Sequence, residues 1–410
     1  MGLDINSVII KDKHYSKDFQ KKPEYANGWK SVLKQYYGTK TPVTCECYGK
    51  GGKRLAIKYY SVTDTYGLSK YANSGAQHDN ACQYYAPDPE KCGLACYVDG
   101  VLKELDHGNI GINLGIGLTA KEPVEQTSGN QPTQISAVTR KTQTAISLLG
   151  LLHWLWEDSS LNYWCAGFSG KRNWGTASGR LNQSSKKLRS GRKHVSDHLI
   201  IAGINSQLQI EKSIKQNNRL ILIAQIESRD DFKIVCRDYY GPFINVKKET
   251  WDSRISKYPN EAKWLGQEKS DRKGHVILIA LTEPPKDPKN GKNYKVIEIV
   301  NYALMLVTEE FIPVASSYEY RLADKLVESG CKFVKPLRYD ATESIYFPDF
   351  VLEDVGDKDL PMEVFGMATR EYLAQKKLKT DWYNKEYGIN SWWNWDAVNN
   401  AEIPALPTAT

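Results

Sequence analysis

The sequence predicts an α+β protein built from several units, and three observations predict it. Five of the eight cysteines fall between residues 45 and 96, among short strand-like runs. A long middle block alternates helical and β-like patterns around a stretch that is basic and free of acids. The last hundred residues follow the order helix, three strands, helix. A chain of 410 residues is long enough for two or three cores.

The N-terminal block, residues 1–119, reads as a β module. Strand-like runs lie at 54–61, 67–72 and 109–118, and Val98-Asp99-Gly100-Val101 carries an Asp-Gly hairpin signal. Residues 120–140 are rich in Glu, Gln, Thr, Ser, Pro and Gly and read as a linker. The middle block, 141–312, is expected to be an α/β domain. It opens with a helix over 142–157, in which Ile146, Leu149, Leu152 and Trp156 recur at helical spacing. β-like runs follow at 220–226, 233–237, 275–281 and 294–307.

In the last block, 313–400, Ser316 and Glu319 stand in capping-box spacing at the start of a helix that Gly330 stops. Strands are expected at 332–337, 346–352 and 361–365, and a second helix at 370–387. Trp392, Trp393 and Trp395 close this core in our reading, and 401–410 is a frayed tail.

The formal net charge is +7, which suits a nucleic-acid partner. The apolar residues form no stretch long enough for a transmembrane helix, and no secretory signal is visible, so a cytoplasmic location is expected. Clustered cysteines near a histidine then point to metal before disulfides. Cys45 and Cys47 are spaced C-x-C, and His78 and Cys82 are spaced H-x3-C about thirty residues later. Four such ligands around a hairpin fit a closed tetrahedral site for a structural zinc ion, making the first block zinc-ribbon-like. Cys92 and Cys96 compete for the same role.

Residues 159–196 contain no Asp or Glu, and Lys171, Arg172, Arg180, Lys186, Lys187, Arg189, Arg192 and Lys193 lie within that span. Such residues neutralise phosphates and supply sequence-independent affinity for DNA. The helix before this stretch and one around 176–187 could belong to a winged-helix or helix-turn-helix unit.

Two strand-borne acids, Asp349 in Phe347-Pro348-Asp349-Phe350 and Glu363 in Pro361-Met362-Glu363-Val364, are fourteen residues apart. Carboxylates on adjacent strands can converge on one Mg²⁺ or Mn²⁺. With Glu319 on the preceding helix, this pattern resembles the PD-(D/E)XK nuclease superfamily over about 313–396. The resemblance implies a restriction-endonuclease-like αβββα domain and metal-dependent cleavage of phosphodiesters. It also implies that the main-chain carbonyl of Val364 is a ligand, and that Glu319 holds a second metal or a metal-bound water. The lysine expected two residues after the glutamate is replaced by Phe365. Some members supply it from the following helix, where Lys376 or Lys379 share a face with Tyr372 and Tyr383.

The whole chain also resembles a family of bacterial proteins encoded on integrative and conjugative elements, domain of unknown function 1173. That likeness rests on Cys45-x-Cys47 with His78-x3-Cys82, on the segment 148–156 with Gly170-Lys171-Arg172-Asn173-Trp174, and on Phe333-Val334-Lys335-Pro336-Leu337-Arg338-Tyr339. It implies a mobile-element setting and no particular activity. The expected function is a Mg²⁺- or Mn²⁺-dependent DNA endonuclease. The alternatives are a catalytically inactive DNA-binding accessory factor and a zinc-dependent adaptor. DNA is the expected partner, followed by other conjugation or replication proteins.

Overall fold

The N-terminal elements are β1 (Val8–Ile10), β2 (Lys13–Tyr15), α1 (Lys17–Lys21), α2 (Ala26–Tyr36), β3 (Val43–Cys45), β4 (Arg54–Tyr60) and β5 (Thr65–Lys70). The strands form an antiparallel sheet in the order β2-β1-β3-β4-β5. Trp29, Val32, Leu33 and Tyr36 recur at i, i+3, i+4 and i+7, so α2 turns one apolar stripe onto this sheet. Val8, Ile10, Val43, Leu55 and Ile57 meet it from the strands. The hairpin expected between the two ligand pairs is β4–β5. The computed structural model describes residues 7–49, 51–60, 64–70, 77–79, 82, 84, 102–105, 109–114, 117–120, 145–286, 295–337, 348–356, 359–367, 370–389 and 391–407. Cys92, Cys96, the hairpin signal at 98–101 and all but the first residue of the expected linker lie outside them.

Next come β6 (Leu102–Glu104), β7 (Ile110–Ile112), α3 (Leu148–Asp158), β8 (Tyr163–Trp164), α4 (Trp174–Ser185), β9 (Leu188–Ser190) and β10 (Lys193–His194). Helix α3 begins at Leu148 rather than 142, because the Ser147 hydroxyl accepts from Gly150 N at 2.9 Å and caps it. Its residues Leu151, Leu152, Trp154, Leu155 and Trp156 are all buried, as expected of a helix inside a core rather than on its surface. Strands β6, β7, β9 and β10 form a four-stranded sheet.

The rest of the middle segment consists of β11 (Leu199–Ile201), α5 (Gln207–Gln216), β12 (Leu220–Asp230), β13 (Lys233–Cys236), β14 (Phe243–Val246), α6 (Lys248–Ile255), α7 (Pro259–Leu265), β15 (His275–Thr282) and β16 (Val296–Val307). Strand β11 runs parallel to β12 across α5, a strand–helix–strand unit of the α/β kind expected, while most of the other pairings in this sheet are antiparallel. Strand β12 pairs with β13, β13 with β14, β14 with β16, β16 with β15, and β15 again with β12. The sheet therefore closes on itself as a barrel, with α6 and α7 inserted between its third and fourth strands. Only the β14–β16 pairing within the ring is parallel. A register shift in β12 between Ile226 and Ser228 supplies the local bend that closure needs. The sequence hides this because β12, β15 and β16 are buried on both faces along most of their length. Their near-continuous apolar runs read like strands of a parallel sheet covered by helices.

The C-terminal segment contains α8 (Ser317–Glu328), β17 (Phe333–Val334), β18 (Phe350–Leu352), β19 (Leu360–Phe365), α9 (Arg370–Glu386) and β20 (Trp393–Asp396). The sheet runs β20-β19-β18-β17-β8. Strands β17, β18 and β19 are antiparallel neighbours, whereas β20 is parallel to β19. A parallel neighbour needs a crossover, and α9 is that crossover. Strand β20 is not among the expected elements. It holds Trp395, which is fully buried. Edge strand β8 comes from the middle segment, and one hydrophobic core runs through both. Residues 401–407, expected to fray, lie against this body. Arg321 donates to Ala401 O at 2.8 Å and the Trp393 indole to Ala405 O at 3.1 Å. The molecule is thus a mixed α+β protein with several sheets. Among the described residues, no helix is long and apolar enough to cross a membrane.

Candidate functional site

Local structure brings three acids and two lysines together on one side of the C-terminal sheet. Ser316 caps α8 by accepting from Glu319 N at 3.1 Å, and Glu319 Oε2 accepts from Ala315 N at 3.0 Å. The Glu319 carboxylate thus reaches back past the N-cap to Ala315 N, a variant of the capping box that fixes its position. Asp349 sits just before β18, and its Oδ2 accepts from Val364 N on β19 at 2.8 Å. Glu363 lies one residue earlier on β19. Lys379 from α9 donates to its Oε1, and the Tyr383 hydroxyl donates to its Oε2 at 3.1 Å. Lys376 does not join them. It pairs with Asp396 at 2.7 Å, with its ammonium 4.7 Å from the Phe365 ring. Of the two lysines proposed for the missing position, Lys379 therefore approaches the acids.

Sequence reasoning misses a further lysine. Lys335, immediately after β17, places its ammonium 2.8 Å from Glu319 Oε2 and 3.8 Å from Asp349 Oδ1. Its backbone is fixed on both sides by buried Asn162. Lys335 N donates to Asn162 O at 2.8 Å, and Asn162 Nδ2 donates to Lys335 O at 2.9 Å. The available signal is a lysine interrupting the apolar run Phe333-Val334-Lys335-Pro336-Leu337.

The electrostatics follow from burial. Glu363 is almost completely buried, and burial followed by the neighbouring Asp349 charge pushes its carboxyl up to about 8. Burial raises Glu319 as well, against the pull of Lys335. For Lys335, burial acts downward, but the carboxylates of Glu319, Asp349 and Glu363 outweigh it and hold the ammonium above its ordinary range. Burial and the Glu363 charge likewise push the Tyr383 phenol up.

The N-terminal ligand set converges. Cys45, Cys47, His78 and Cys82 are buried, and their donor atoms all lie within 4.8 Å of one another. Among the described residues, no other group of three or more potential ligands is this close. Cys45 Sγ is 3.6 Å from Cys82 Sγ, and His78 Nδ1 is 3.6 Å from the sulfurs of both Cys47 and Cys82. With metal–sulfur bonds of ~2.3 Å, the edge of a regular tetrahedron is about 3.8 Å, so these separations fit a zinc ion at the centre. Asp79 N points at Cys47 Sγ at 3.3 Å, and Tyr84 N at Cys82 Sγ at 3.5 Å, as suits thiolate acceptors. Gly49 allows the turn to close. A Cβ there would lie 2.2 Å from Gln77 O. His78 Nε2 is buried without a partner among the described residues.

The basic stretch divides. Arg172 is committed to the interior, where its guanidinium donates to the carbonyls of Ser160, Leu161, Tyr163 and Glu310. Lys187 pairs with Asp158 at 2.6 Å. Arg189 lies 2.7 Å from His194 Nε2, and Lys193 donates to Thr119 and Asn218. Lys171 donates to Gly167 O at 2.9 Å but remains exposed, as does Arg192. Arg180, Lys186 and Lys187 line a cleft of about 940 Å³ together with Lys17, Lys58 and Lys70. Burial, followed by the charge of Lys187, pushes Lys58 down to about 8.

No curated protein matches this chain. A family described as Protein of unknown function (DUF1173) matches residues 16–397, nearly the full length. The chain belongs to that family.

Proposed function

We propose that this protein is a divalent-metal-dependent DNA endonuclease of the PD-(D/E)XK type, with a zinc-stabilised N-terminal module and a basic cleft that holds DNA. The observation that carries the reading is the clustering of Glu319, Asp349, Glu363, Lys335 and Lys379 on a helix–three-strand–helix–strand unit whose last strand runs parallel to the third. Asp349 and Glu363 offer hard oxygen donors suited to Mg²⁺ or Mn²⁺. A strand residue directs its N–H and C=O to the same side, so the bond from Val364 N to Asp349 leaves the Val364 carbonyl on the Asp349 side as a third donor. Such an ion, when bound, polarises the phosphate and lowers the pKa of a bound water. The two lysines compensate for Phe365. Lys379 holds Glu363 from the following helix, and Lys335 supplies a positive charge from the preceding strand, where negative charge develops on a phosphate oxygen. The mobile-element setting implied by the sequence suits such an enzyme.

One observation favours a second reading, a DNA-gripping accessory factor without cleavage. The acids are already engaged within the protein: Glu319 by Lys335, Asp349 by Val364 N, and Glu363 by Lys379 and Tyr383. Incubation of linear, supercoiled and single-stranded DNA with Mg²⁺ or Mn²⁺ separates the two. Cutting that Asp349→Ala and Glu363→Ala abolish supports the nuclease. Salt-sensitive binding without cutting replaces it with the accessory factor.

A further inference from the structure

The barrel β12–β16 offers a second surface, remote in sequence from the acid cluster. Strands β12, β15 and β16 are covered on both faces, but β13 and β14 are not. Ile234, Ile244 and Val246 point inward and are buried, whereas Lys233 and Phe243, on the alternate register, reach solvent. Three aromatic rings stand on this face or at its ends. Phe232, in the turn between β12 and β13, is 61% exposed. Tyr240, in the loop between β13 and β14, is 92% exposed. Phe243, which opens β14, is 40% exposed. Large rings left in water are not explained by the fold, because each forgoes the stabilisation of burial.

A cation accompanies the rings. The Lys233 ammonium lies 4.7 Å from the centroid of Phe243. Lys233 makes no ion pair among the described residues. Asp230 and Asp231 lie at the same turn, so the face is mixed in charge and the rings dominate its chemistry.

We infer that this face binds single-stranded nucleic acid, with Tyr240, Phe232 and Phe243 as stacking platforms and Lys233 beside them for the backbone phosphates. Unpaired bases stack on aromatic side chains whatever their sequence, and a cation next to the ring meets the phosphate that accompanies each base. A duplex keeps its bases stacked inside and cannot use such platforms. The strand order, with the first strand closing on the fourth and the third pairing in parallel with the fifth, is that of small barrels that present their second and third strands to oligonucleotides or oligosaccharides. The Lys233 ammonium beside the ring selects the anionic polymer. The inference does not depend on the nuclease reading, since an uncut strand would still bind.

The test is fluorescence-anisotropy titration of labelled oligo(dT), and of a duplex of equal length, with the full-length protein in buffer free of added divalent metal. Tyr240→Ala and the double variant Phe232→Ala/Tyr240→Ala are compared with the native chain, with melting curves to show that the fold is kept. The expected result is tenfold or greater weakening for single-stranded DNA in the double variant, with duplex binding unchanged. Lys233→Ala should weaken single-strand binding less and flatten its salt dependence. Equal oligo(dT) affinity in native and double-variant protein overturns the proposal. So does binding of a neutral oligosaccharide in place of oligo(dT).

Discussion

The ammonium of Lys335 lies 2.8 Å from Glu319 Oε2, and both side chains are buried. The pair joins the start of α8 to the residue after β17, and Asp349 Oδ1 lies 3.8 Å from the same ammonium. Removing one member of a buried ion pair leaves an uncompensated charge and typically costs about 3–5 kcal/mol. Lys335→Met should therefore destabilise the chain by about that much in urea unfolding. Lys335→Met combined with Glu319→Gln should cost less than Lys335→Met alone, because the Glu319 charge is no longer stranded. Strictly additive costs would show that the pair is not coupled.

Metal analysis of the purified chain should find zinc at about one ion per molecule, with Cys45→Ser and His78→Ala losing it. Zinc-dependent modules unfold when the ion is removed. Chelation should therefore expose the N-terminal segment to proteolysis while leaving the barrel resistant. A chain without zinc that resists protease equally well contradicts the assignment.

Within the basic stretch, exposed and interior cations should behave oppositely. Charge reversal at Lys171 and Arg192, both exposed, should weaken DNA binding with little effect on the melting temperature. Its salt dependence should fall by about one unit of slope for each phosphate that is no longer neutralised. Arg172→Ala should instead destabilise the fold by about 3 kcal/mol, because it strands carbonyls that the guanidinium satisfies. DNA affinity measured beside melting curves distinguishes the two effects.

Stability should also carry a pH signature from α8. Burial, followed by the nearby Glu328 carboxylate, pushes Asp324 up to about 6. A folded-state pKa above the unfolded value means that the folded chain holds the proton more tightly. The associated stability is therefore full below about pH 4 and is lost as pH rises through about 6. Asp324→Asn should remove that slope and raise stability at pH 7 by about 1 kcal/mol, a figure reduced for solvent screening of a half-exposed side chain. Urea unfolding between pH 4 and 7.5 reads this directly, and parallel curves for the two proteins would contradict it.

The sequence is most legible where local rules dominate. Ser316 caps α8 as its spacing predicts, and Gly330 ends it at φ +69°. The spacing of Cys45, Cys47, His78 and Cys82 picks out residues that meet within one site. Elements set by tertiary pairing are hidden. Closure of the barrel depends on β15 returning to β12 across some fifty residues, and no periodicity encodes that return. Lys335 reads as an interruption of a strand, and only the packing of β17 against Asn162 turns its side chain toward Glu319. Arg172 reads as one basic residue among eight until Leu161 and Glu310 enclose it. Composition records charge, but only the packed structure shows which charges face outward.

Cleavage of end-labelled DNA with Mn²⁺ or Mg²⁺ by the native chain, Asp349→Asn, Lys379→Met and Lys376→Met tests the central claim most directly. Each variant should first be shown to melt as a folded protein. The account predicts cutting by the native chain and by Lys376→Met, with reductions of about 10²–10³-fold or more for the other two. Native protein that binds DNA but never cuts it, or equal cutting by all four, would contradict it.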